Sequence, residues 1–461
     1  MKEERDLINR LASGRLSRRE FIRLSLAAGL SVPTIAAALA ACAPAETPAP
    51  TPATGAGGKV TVAPGSVLTL KLRAAFIPEV NDILAAQVNV WGAKNGVPVQ
   101  VDIVSLNELQ TIAASVAETG AGPDLIELSQ NSPYLFAEQL VDVSDVADDL
   151  GSRFGGWYPV GEEACNVDGR WLAVPRFFAP HAIVYRRDNF ETVGYKESPK
   201  TWDEMLDLGR KLKAAQLPPL GFPLGHAVSD GNDFAYSILW SFGGKEVEAD
   251  GKTVAINSRE TAAAIDFMRQ FFQEAMIPDV LSWDDASNNR VYSASEISAT
   301  NDTASLWATL KNIALNIYKA TNHSQYPAGP AGKVTYAEVT SQAVLSRSPN
   351  VDAAKALIQY LNEKEQLAPW AQAGSSFTYP LLRAYEDMVI MPWNMQAEQA
   401  AFKGIAGTAH LPGYPSRTSG LQAAESYTQW IVVDMFANAC AGMSTQDAMT
   451  QAESQLRQIY Q

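Results

Sequence analysis

Three blocks of sequence decide the fold, and they read DGRWLAVP (residues 168–175), AIVYRRDNF (182–190) and PKTWDEM (199–205). Asp168-Gly169 predicts a turn, and the apolar residues after it predict a short strand that ends at Pro175. Ala182–Tyr185 is a second apolar run, short enough for a buried strand. Thr201 predicts the start of a helix, because Glu204 three residues later completes a capping box. The blocks therefore predict two strands followed by a capped helix.

The sequence before these blocks alternates predicted strands and helices. Alternating apolar residues predict strands at 68–74 and 97–104, and a short apolar run predicts a third strand at 124–128. The intervening segments, 80–94 and 106–118, have the pattern of helices. This β-α-β-α-β order predicts a parallel sheet that is covered by helices on both faces.

The blocks, in this order, resemble those of one protein family. They are similar to motifs of the extracellular solute-binding proteins of ABC importers, in particular the carbohydrate-binding family that includes maltose-binding protein. Further segments that resemble the family are residues 122–126 (GPDLI), 329–332 (GPAG) and 374–380 (GSSFTYP). The resemblance implies a two-lobed α/β fold of the periplasmic-binding-protein type II. Each lobe would be a mostly parallel sheet flanked by helices, with the ligand cleft between the lobes.

The resemblance also implies where the chain crosses between the lobes, namely near Ala182, Ser341 and Thr378. The N-terminal lobe would then comprise residues 67–182 and 342–377. The C-terminal lobe would comprise residues 183–341 and 378–461. Three crossings form a hinge, so we expect the lobes to close around a ligand.

The first 66 residues have the pattern of an export and anchoring segment. Ser17–Arg23 carries a twin-arginine motif, and the apolar run after it is too interrupted for a membrane span of ~20 residues, so residues 1–41 predict a signal peptide. Leu39–Cys42 resembles a lipoprotein signal-peptidase box, which makes Cys42 the predicted lipidation site. The alternative is an ordinary signal peptide that contains a cysteine. Residues 42–66, rich in Ala, Pro, Thr and Gly, predict a flexible tether.

Charge and cysteine content exclude several classes of function. The 461 residues include 36 Lys and Arg and 50 Asp and Glu. Residues 1–41 account for 7 basic and 4 acidic residues, so 29 basic and 46 acidic residues remain, a net charge of −17. This balance argues against nucleic acid as a partner. Cys165 and Cys440 could pair, but buried free thiols are the more frequent outcome, and no cysteine–histidine spacing predicts a metal site.

Sugar recognition predicts a set of ligand-binding candidates. Aromatic rings pack on the C–H faces of a sugar, polar side chains hydrogen-bond its hydroxyl groups, and an open sheet presents both beyond the carboxyl ends of its strands. These criteria, with the resemblance, select Glu79, Gln130, Asn131, Arg176, Phe177, Phe178, His181, Asn301, Asp302, Trp307, Tyr414 and Arg417, of which Trp307 is the leading position. The alternative is structural: core packing for the two phenylalanines, a surface ion pair for Arg176 and a hydrogen-bonded imidazole for His181.

The resemblance implies a monomeric bacterial lipoprotein on the outer face of the cell membrane. It would capture a mono- or oligosaccharide by hinge closure, without a cofactor, and deliver it to the permease subunits of an ABC importer. Alternatives within the same fold are a binder of a polyamine, a phosphorylated polyol or an iron chelate, and a surface sensor. An exported carbohydrate-active enzyme with two cleft carboxylates ~5–9.5 Å apart is a further alternative. The sequence has no nucleophile-elbow, zinc-protease or P-loop motif.

Overall fold

The computed structural model describes residues 60, 62–374, 378–388 and 409–461. The predicted signal peptide, the predicted lipidation site Cys42 and most of the predicted tether lie outside the described residues. Within the described ranges, no helix combines the length and the apolar character that a membrane span requires.

The chain forms these strands, in order: β1 (Leu68–Arg73), β2 (Val99–Val104), β3 (Leu125–Ser129), β4 (Asn166–Val167), β5 (Arg170–Trp171), β6 (Val174–Ala179), β7 (Ala182–Arg186), β8 (Ala299–Asp302), β9 (Thr321–Ser324), β10 (Thr335–Tyr336), β11 (Glu338–Val344), β12 (Tyr379–Pro380) and β13 (Ala409–His410). It also forms these α-helices: α1 (Pro78–Asn95), α2 (Leu106–Thr119), α3 (Ser132–Leu135), α4 (Ser144–Arg153), α5 (Pro159–Cys165), α6 (Arg187–Thr192), α7 (Trp202–Ala214), α8 (Asp230–Ser241), α9 (Arg259–Ala275), α10 (Ser287–Ser293), α11 (Ala304–Ile313), α12 (Leu315–Ala320), α13 (Val351–Leu361), α14 (Lys364–Ala373), α15 (Gly420–Thr428), α16 (Ile431–Cys440) and α17 (Thr445–Ile459). Short 3₁₀-helices lie at Ala137–Gln139, Pro278–Ser282 and Arg383–Met388.

The strands build two main sheets. The larger sheet has the order β12-β6-β11-β3-β1-β2, in which β1 is parallel to β2 and β3. Strand β11 is antiparallel to both of its neighbours, and β12 is antiparallel to β6. In the second sheet, β8-β7-β9, both strand pairs are antiparallel. The β1-α1-β2-α2-β3 unit is thus parallel as predicted. The other strand pairs of the two main sheets are antiparallel, although the sequence predicts mostly parallel sheets. In the larger sheet, the antiparallel strands β11 and β12 enter only after the chain returns from the second sheet.

Each main sheet has its own apolar core, so the chain forms two lobes as predicted. The first core surrounds the larger sheet and includes Leu70 and Phe178, whereas the second core includes Ile183 and Trp202. The buried free thiols Cys165 and Cys440 lie in different cores, which confirms that they do not pair. Tyr379, Leu382, Tyr385 and Leu411 pack in the first core, although the sequence assigned residues 378–461 to the other lobe. The reason is that β12 pairs with β6 at the edge of the larger sheet.

The first core also includes contacts from the end of the predicted tether. Val60 and Val62 are partly buried against this core. Asn350 Oδ1 accepts hydrogen bonds from the Ala63 N–H at 3.0 Å and from Ser66 Oγ at 2.8 Å. These contacts correct the prediction of a flexible segment up to residue 66. The two valines supply larger apolar side chains than the alanine and glycine residues around them.

The three decisive blocks fold largely as predicted. Asp168 and Gly169 have φ values of 52° and 82° and connect β4 to β5, which confirms the turn. Thr201 caps α7, and both hydrogen bonds of the capping box with Glu204 are present. Pro175, however, does not end a strand but lies inside β6. It is tolerated there because it pairs with Ser341, where the register of β11 shifts, and proline is accommodated at such bulges.

Candidate functional site

A cavity of about 300 Å³ is lined by residues from both lobes. On the first-lobe side lie Arg73–Phe76 at the end of β1, Ser105–Asn107 after β2, and the side chains of Phe177, Glu338 and Trp370. On the second-lobe side lie Ser229 and Asp230 at the start of α8, residues 284–286, and Asp302, Thr303 and Ser305 at the end of β8. His181, between β6 and β7, completes the lining. The cavity thus lies at the carboxyl ends of the parallel strands β1 and β2, the edge at which open α/β sheets bind ligands.

Aromatic rings form part of the first-lobe wall. The rings of Phe177 and Trp370 pack against each other with centroids 5.1 Å apart. The guanidinium of Arg176 lies 4.5 Å from the centroid of the Trp370 ring, in cation–π geometry. Phe76 is 50% exposed where it lines the cavity. These rings provide apolar faces that a ligand ring can contact.

The polar part of the cavity is centred on His181 and Glu338. His181 Nε2 lies 2.9 Å from Glu338 Oε2, and Ser229 Oγ donates to the same carboxylate oxygen. Arg73 forms an ion pair with the other oxygen, Oε1. Arg73 and Glu338 lie on β1 and β11 of the larger sheet, whereas Ser229 precedes α8 in the second lobe. One buried carboxylate therefore joins residues from both lobes.

Two further carboxylates face the other nitrogen of His181. Nδ1 lies 3.4 Å from Asp230 Oδ1 and 3.3 Å from Asp233 Oδ2. Asn301 fixes this arrangement, because its Nδ2 donates to the Asp230 carbonyl at 2.9 Å and to Asp233 Oδ2 at 3.2 Å. His181 is thus surrounded by three carboxylates.

These neighbours decide the charge of the imidazole. Burial alone would lower the pKa of His181, but Asp233, Glu338 and Asp230 raise it to about 10. Burial would likewise raise the pKa of Glu338, but Arg73 and His181 lower it to about 2. At neutral pH the site therefore contains an imidazolium that can donate from both nitrogens, beside an ionised Glu338.

The remaining carboxylates of the cavity predict that the ligand-free protein loses stability as the pH rises. Burial raises the pKa of Asp302 to about 7 and that of Asp285 to about 6, from an ordinary value of 3.8. Between the ordinary pKa of 3.8 and these raised values, the native carboxyl groups hold protons that the unfolded chain has released. The free energy of unfolding therefore falls as the pH rises through this range. His181 also makes the free energy of unfolding fall with rising pH, but at higher pH, because its pKa is raised from 6.5 to about 10 in the folded protein. That of Glu338 is lost only on acidification below its ordinary pKa of 4.5.

Denaturant unfolding near pH 5 and near pH 8 tests this prediction. We expect the larger free energy of unfolding near pH 5, and a smaller difference between the two pH values in an Asp285→Asn, Asp302→Asn double variant. Equal or greater stability near pH 8 in the unsubstituted protein would contradict it.

Comparison with known proteins places this architecture in a family. A sequence model of the bacterial extracellular solute-binding protein matches residues 71–368. The chain belongs to this family. A Brucella abortus relative is 24% identical over 208 residues, which are 45% of this chain and 50% of the relative. The chain thus spans about half the length of the first curated relatives that it matches.

A second curated relative and a solved structure are also similar to this solute-binding protein. A Deinococcus radiodurans protein described as a probable ABC transporter-binding protein is 22% identical over 314 residues, which cover 66% of this chain and 74% of the relative. The solved structure of maltose-bound T. maritima MalE3 superimposes with a TM-score of 0.71 at 22% identity. It covers 85% of this chain and 98% of that one. The likeness confirms the two-lobed fold.

Three of the residues that the sequence predicts as ligand contacts line the cavity of this solute-binding protein. They are Phe177 on the aromatic wall, His181 between the lobes and Asp302 on the second-lobe wall. Their convergence follows from the fold, because β6 and β7 connect the two sheets and β8 pairs with β7.

Four other predicted residues are buried without lining the cavity. Arg176 Nη1 pairs with Glu127 at 2.8 Å, and Asn301 supports the aspartates behind His181. Gln130 Nε2 donates to Tyr336 Oη at 2.9 Å, and Asn131 Nδ2 donates to the Pro412 carbonyl at 3.2 Å. Arg176 thus belongs to an ion pair, but the pair is buried and not on the surface as the structural alternative predicts.

The other five predicted residues lie outside the cavity lining. Phe178 is a core residue that packs on Tyr379, and Trp307 stacks on Tyr318 with centroids 4.7 Å apart. Tyr414 stacks on His410 with centroids 3.6 Å apart, and Glu79 and Arg417 are exposed on the surface. Trp307 is the leading ligand-binding candidate of the sequence, but its ring packs on α12 and does not line the cavity.

Several residues that line the cavity are not among those that the sequence predicts. Ala75, Phe76 and Ser105–Asn107 directly follow the predicted strands 68–74 and 97–104, so the criterion that selected Glu79 could also have selected them. Trp370, Asp285 and Glu338 gave no such signal, because their elements reach the cavity only through the tertiary fold.

Proposed function

We propose that this protein captures a sugar in the cavity between its lobes and delivers it to the permease of an ABC importer. The observation that carries the proposal is the division of the cavity into two kinds of wall. The rings of Phe76, Phe177 and Trp370 provide apolar faces on one side, and carboxylates provide hydrogen-bond acceptors on the other. Sugars need both, since their rings have apolar C–H faces and a periphery of hydroxyl groups. Maltose in MalE3, a protein of the same fold, agrees with this class of ligand.

Each group of lining residues has a role in the proposal. The ring of the sugar packs against Phe177 and Trp370. Its hydroxyl groups donate to Asp302 and Asp230 and accept hydrogen bonds from Arg73. The cavity volume lies at the lower end of the range of about 300–1,000 Å³ that is typical of ligand pockets, which favours a small ligand of one or two rings.

Closure of the lobes is the proposed mechanism. A ligand that touches both walls gains contacts only when the lobes are close together, so it shifts the population toward the closed form. Hydrogen bonds to groups from both lobes supply this preference. No covalent step is part of the mechanism.

Export and anchoring belong to the same proposal. The twin-arginine motif and the lipoprotein box support secretion, lipidation of Cys42 and a position on the outer face of the cell membrane. Mass spectrometry of the N-terminal peptide tests the lipidation. The probable ABC transporter-binding protein of Deinococcus radiodurans supports a permease as the partner.

A polyamine is the alternative ligand, because the cavity contains more carboxylates than cations. A thermal-shift screen of residues 60–461 with mono- and oligosaccharides, polyamines and phosphorylated polyols separates the two. A ligand at 100 times its Kd stabilises the folded state by roughly 2.7 kcal/mol, a shift of a few degrees. We expect a shift with at least one sugar, which remains unconsumed over hours. Shifts with polyamines alone would overturn the proposal in favour of the alternative, and consumption of the sugar would overturn it in favour of an enzyme.

A further inference from the structure

The charges around the cavity are unbalanced. Arg73 and His181 are the cations, and Glu338 lies between them. Asp230, Asp285 and Asp302 also line the cavity, and Asp233 lies directly behind His181. Five carboxylates therefore face two cations. A further aspartate of the lining, Asp284, is more exposed and is hydrogen-bonded to Ser287 and paired with Arg290.

Three of the aspartates that line the cavity, Asp230, Asp285 and Asp302, are adjacent. Asn288 Nδ2 lies 2.9 Å from Asp230 Oδ2 and 3.4 Å from Asp302 Oδ2, so these two carboxylates share one donor. Asp285 Oδ1 accepts the backbone N–H of Ser229 at 3.0 Å and that of Asp230 at 3.1 Å. The three carboxylates thus form one continuous acidic wall in the second lobe.

One oxygen of this wall lacks a donor. Asp285 Oδ2 is shielded from solvent and has no hydrogen-bond partner among the residues that the structure describes. A buried, unpartnered carboxylate oxygen is costly in free energy, because it has lost its water and gained nothing in return. A ligand donor at this position would remove that cost.

The pKa values of the three aspartates also indicate that the wall lacks positive charge. Burial and the neighbouring Asp302 raise the pKa of Asp230, and burial raises the pKa of Asp285 and Asp302. The pKa values of the three groups stay raised although His181 and Arg73 lie nearby, so a further positive charge at the wall would favour their ionised forms. A hydroxyl group can donate a hydrogen bond to this wall, but only a cation also offsets its charge.

We propose that the ligand is a sugar or polyol carrying a protonated amine, and that its ammonium group donates to Asp285 and Asp302 while its ring packs toward Phe177 and Trp370. This inference rests on the proposed function and specifies the chemical class of the ligand. An organic cation fits better than a metal ion, since the rings line the opposite wall. In the described parts of the chain, no three His, Cys, Asp or Glu side chains are arranged to hold a metal.

Matched ligands test the inference by calorimetric titration of the mature domain. The panel contains glucose, glucosamine and N-acetylglucosamine, and the corresponding β-1,4-linked disaccharides. These compounds differ in bearing a hydroxyl, an ammonium or an uncharged amide at the same carbon. We expect the amines to bind at least about tenfold more tightly than the hydroxyl and amide forms. If the neutral sugars bind as tightly, the inference fails while the proposed function stands. If no sugar in either this panel or the wider screen binds, both fail.

A substitution at Asp285 gives the sharpest version of the test. In Asp285→Asn the amide oxygen still accepts the two backbone N–H groups, and the NH₂ group replaces the unpartnered Oδ2. We expect the affinity for the amine to fall about tenfold and that for a neutral sugar to change little. Asp279→Asn, which removes one exposed carboxylate outside the cavity lining, is the matched control. Equal losses for the amine and neutral ligands would overturn the inference.

Proton release provides a measurement that needs no variant. A cation bound at this wall favours the ionised carboxylates, so titration with the amine near pH 6.5 releases protons. The measured enthalpy then depends on the ionisation enthalpy of the buffer. Absence of this dependence for a bound amine would also overturn the inference.

Discussion

Replacing Trp370 with alanine is expected to weaken sugar binding by about 30-fold or more, which corresponds to about 2 kcal/mol. The reason is the position of the ring, which lines the cavity, packs on Phe177 and lies beneath the Arg176 guanidinium. Its removal takes away part of the apolar wall that the sugar can contact and the support of the Phe177 ring. Titration calorimetry of the folded variant measures the loss.

Trp307→Ala is the matched control for this experiment. Both tryptophans are buried, so each substitution is expected to cost about 3–5 kcal/mol of stability. Trp307 lies outside the cavity lining, and we expect its removal to leave the affinity within about twofold of the unsubstituted protein. If Trp307→Ala loses binding and Trp370→Ala retains it, the position favoured by the sequence is the correct one and the assigned cavity is wrong.

Replacing Glu338 with alanine is expected to lower the free energy of unfolding by about 3 kcal/mol or more. Glu338 is fully buried, and its two oxygens form an ion pair with Arg73 and hydrogen bonds with His181 and Ser229. Its removal leaves the partly buried Arg73 guanidinium without its carboxylate and takes one of three carboxylates from around His181. Denaturant unfolding at neutral pH measures the effect.

Glu338→Gln separates charge from shape in this prediction. The amide fills the same space and its oxygen can still accept from Ser229, so we expect a smaller loss than in the alanine variant. The pKa of His181 should also fall in both variants, which the histidine NMR signals report. A stability within about 1 kcal/mol of the unsubstituted protein for Glu338→Ala would show that the buried cluster does not hold the two lobes together.

Much of the fold could be predicted because its signals are local. The alternation at 68–74 and 97–104, the capping box at Thr201 and Glu204 and the turn at Asp168-Gly169 each depend on neighbouring residues. The errors concern long-range pairing. Pro175 is accommodated in β6 because Ser341, far away in sequence, lies opposite it at a bulge.

The site could be predicted only in part, for the same reason. Phe177, His181 and Asp302 lie beside strands that local patterns identify, and all three line the cavity. Trp307 has the right residue type near the right strand, but which way its ring points depends on Tyr318 in the next helix. The acidic wall could not be predicted, since Asp230, Asp285 and Asp302 become neighbours only through the backbone N–H groups of α8 and the side chain of Asn288.

A crystal structure of the mature domain with the best-binding sugar of the screen would show whether the cavity between the lobes is the ligand site. We expect the ring of the ligand to lie between the Phe177–Trp370 wall and the wall formed by Asp230, Asp285 and Asp302, with a polar group within hydrogen-bond distance of Asp302. Ligand density elsewhere, for example beside Trp307 or Tyr414, with this cavity empty, would contradict it.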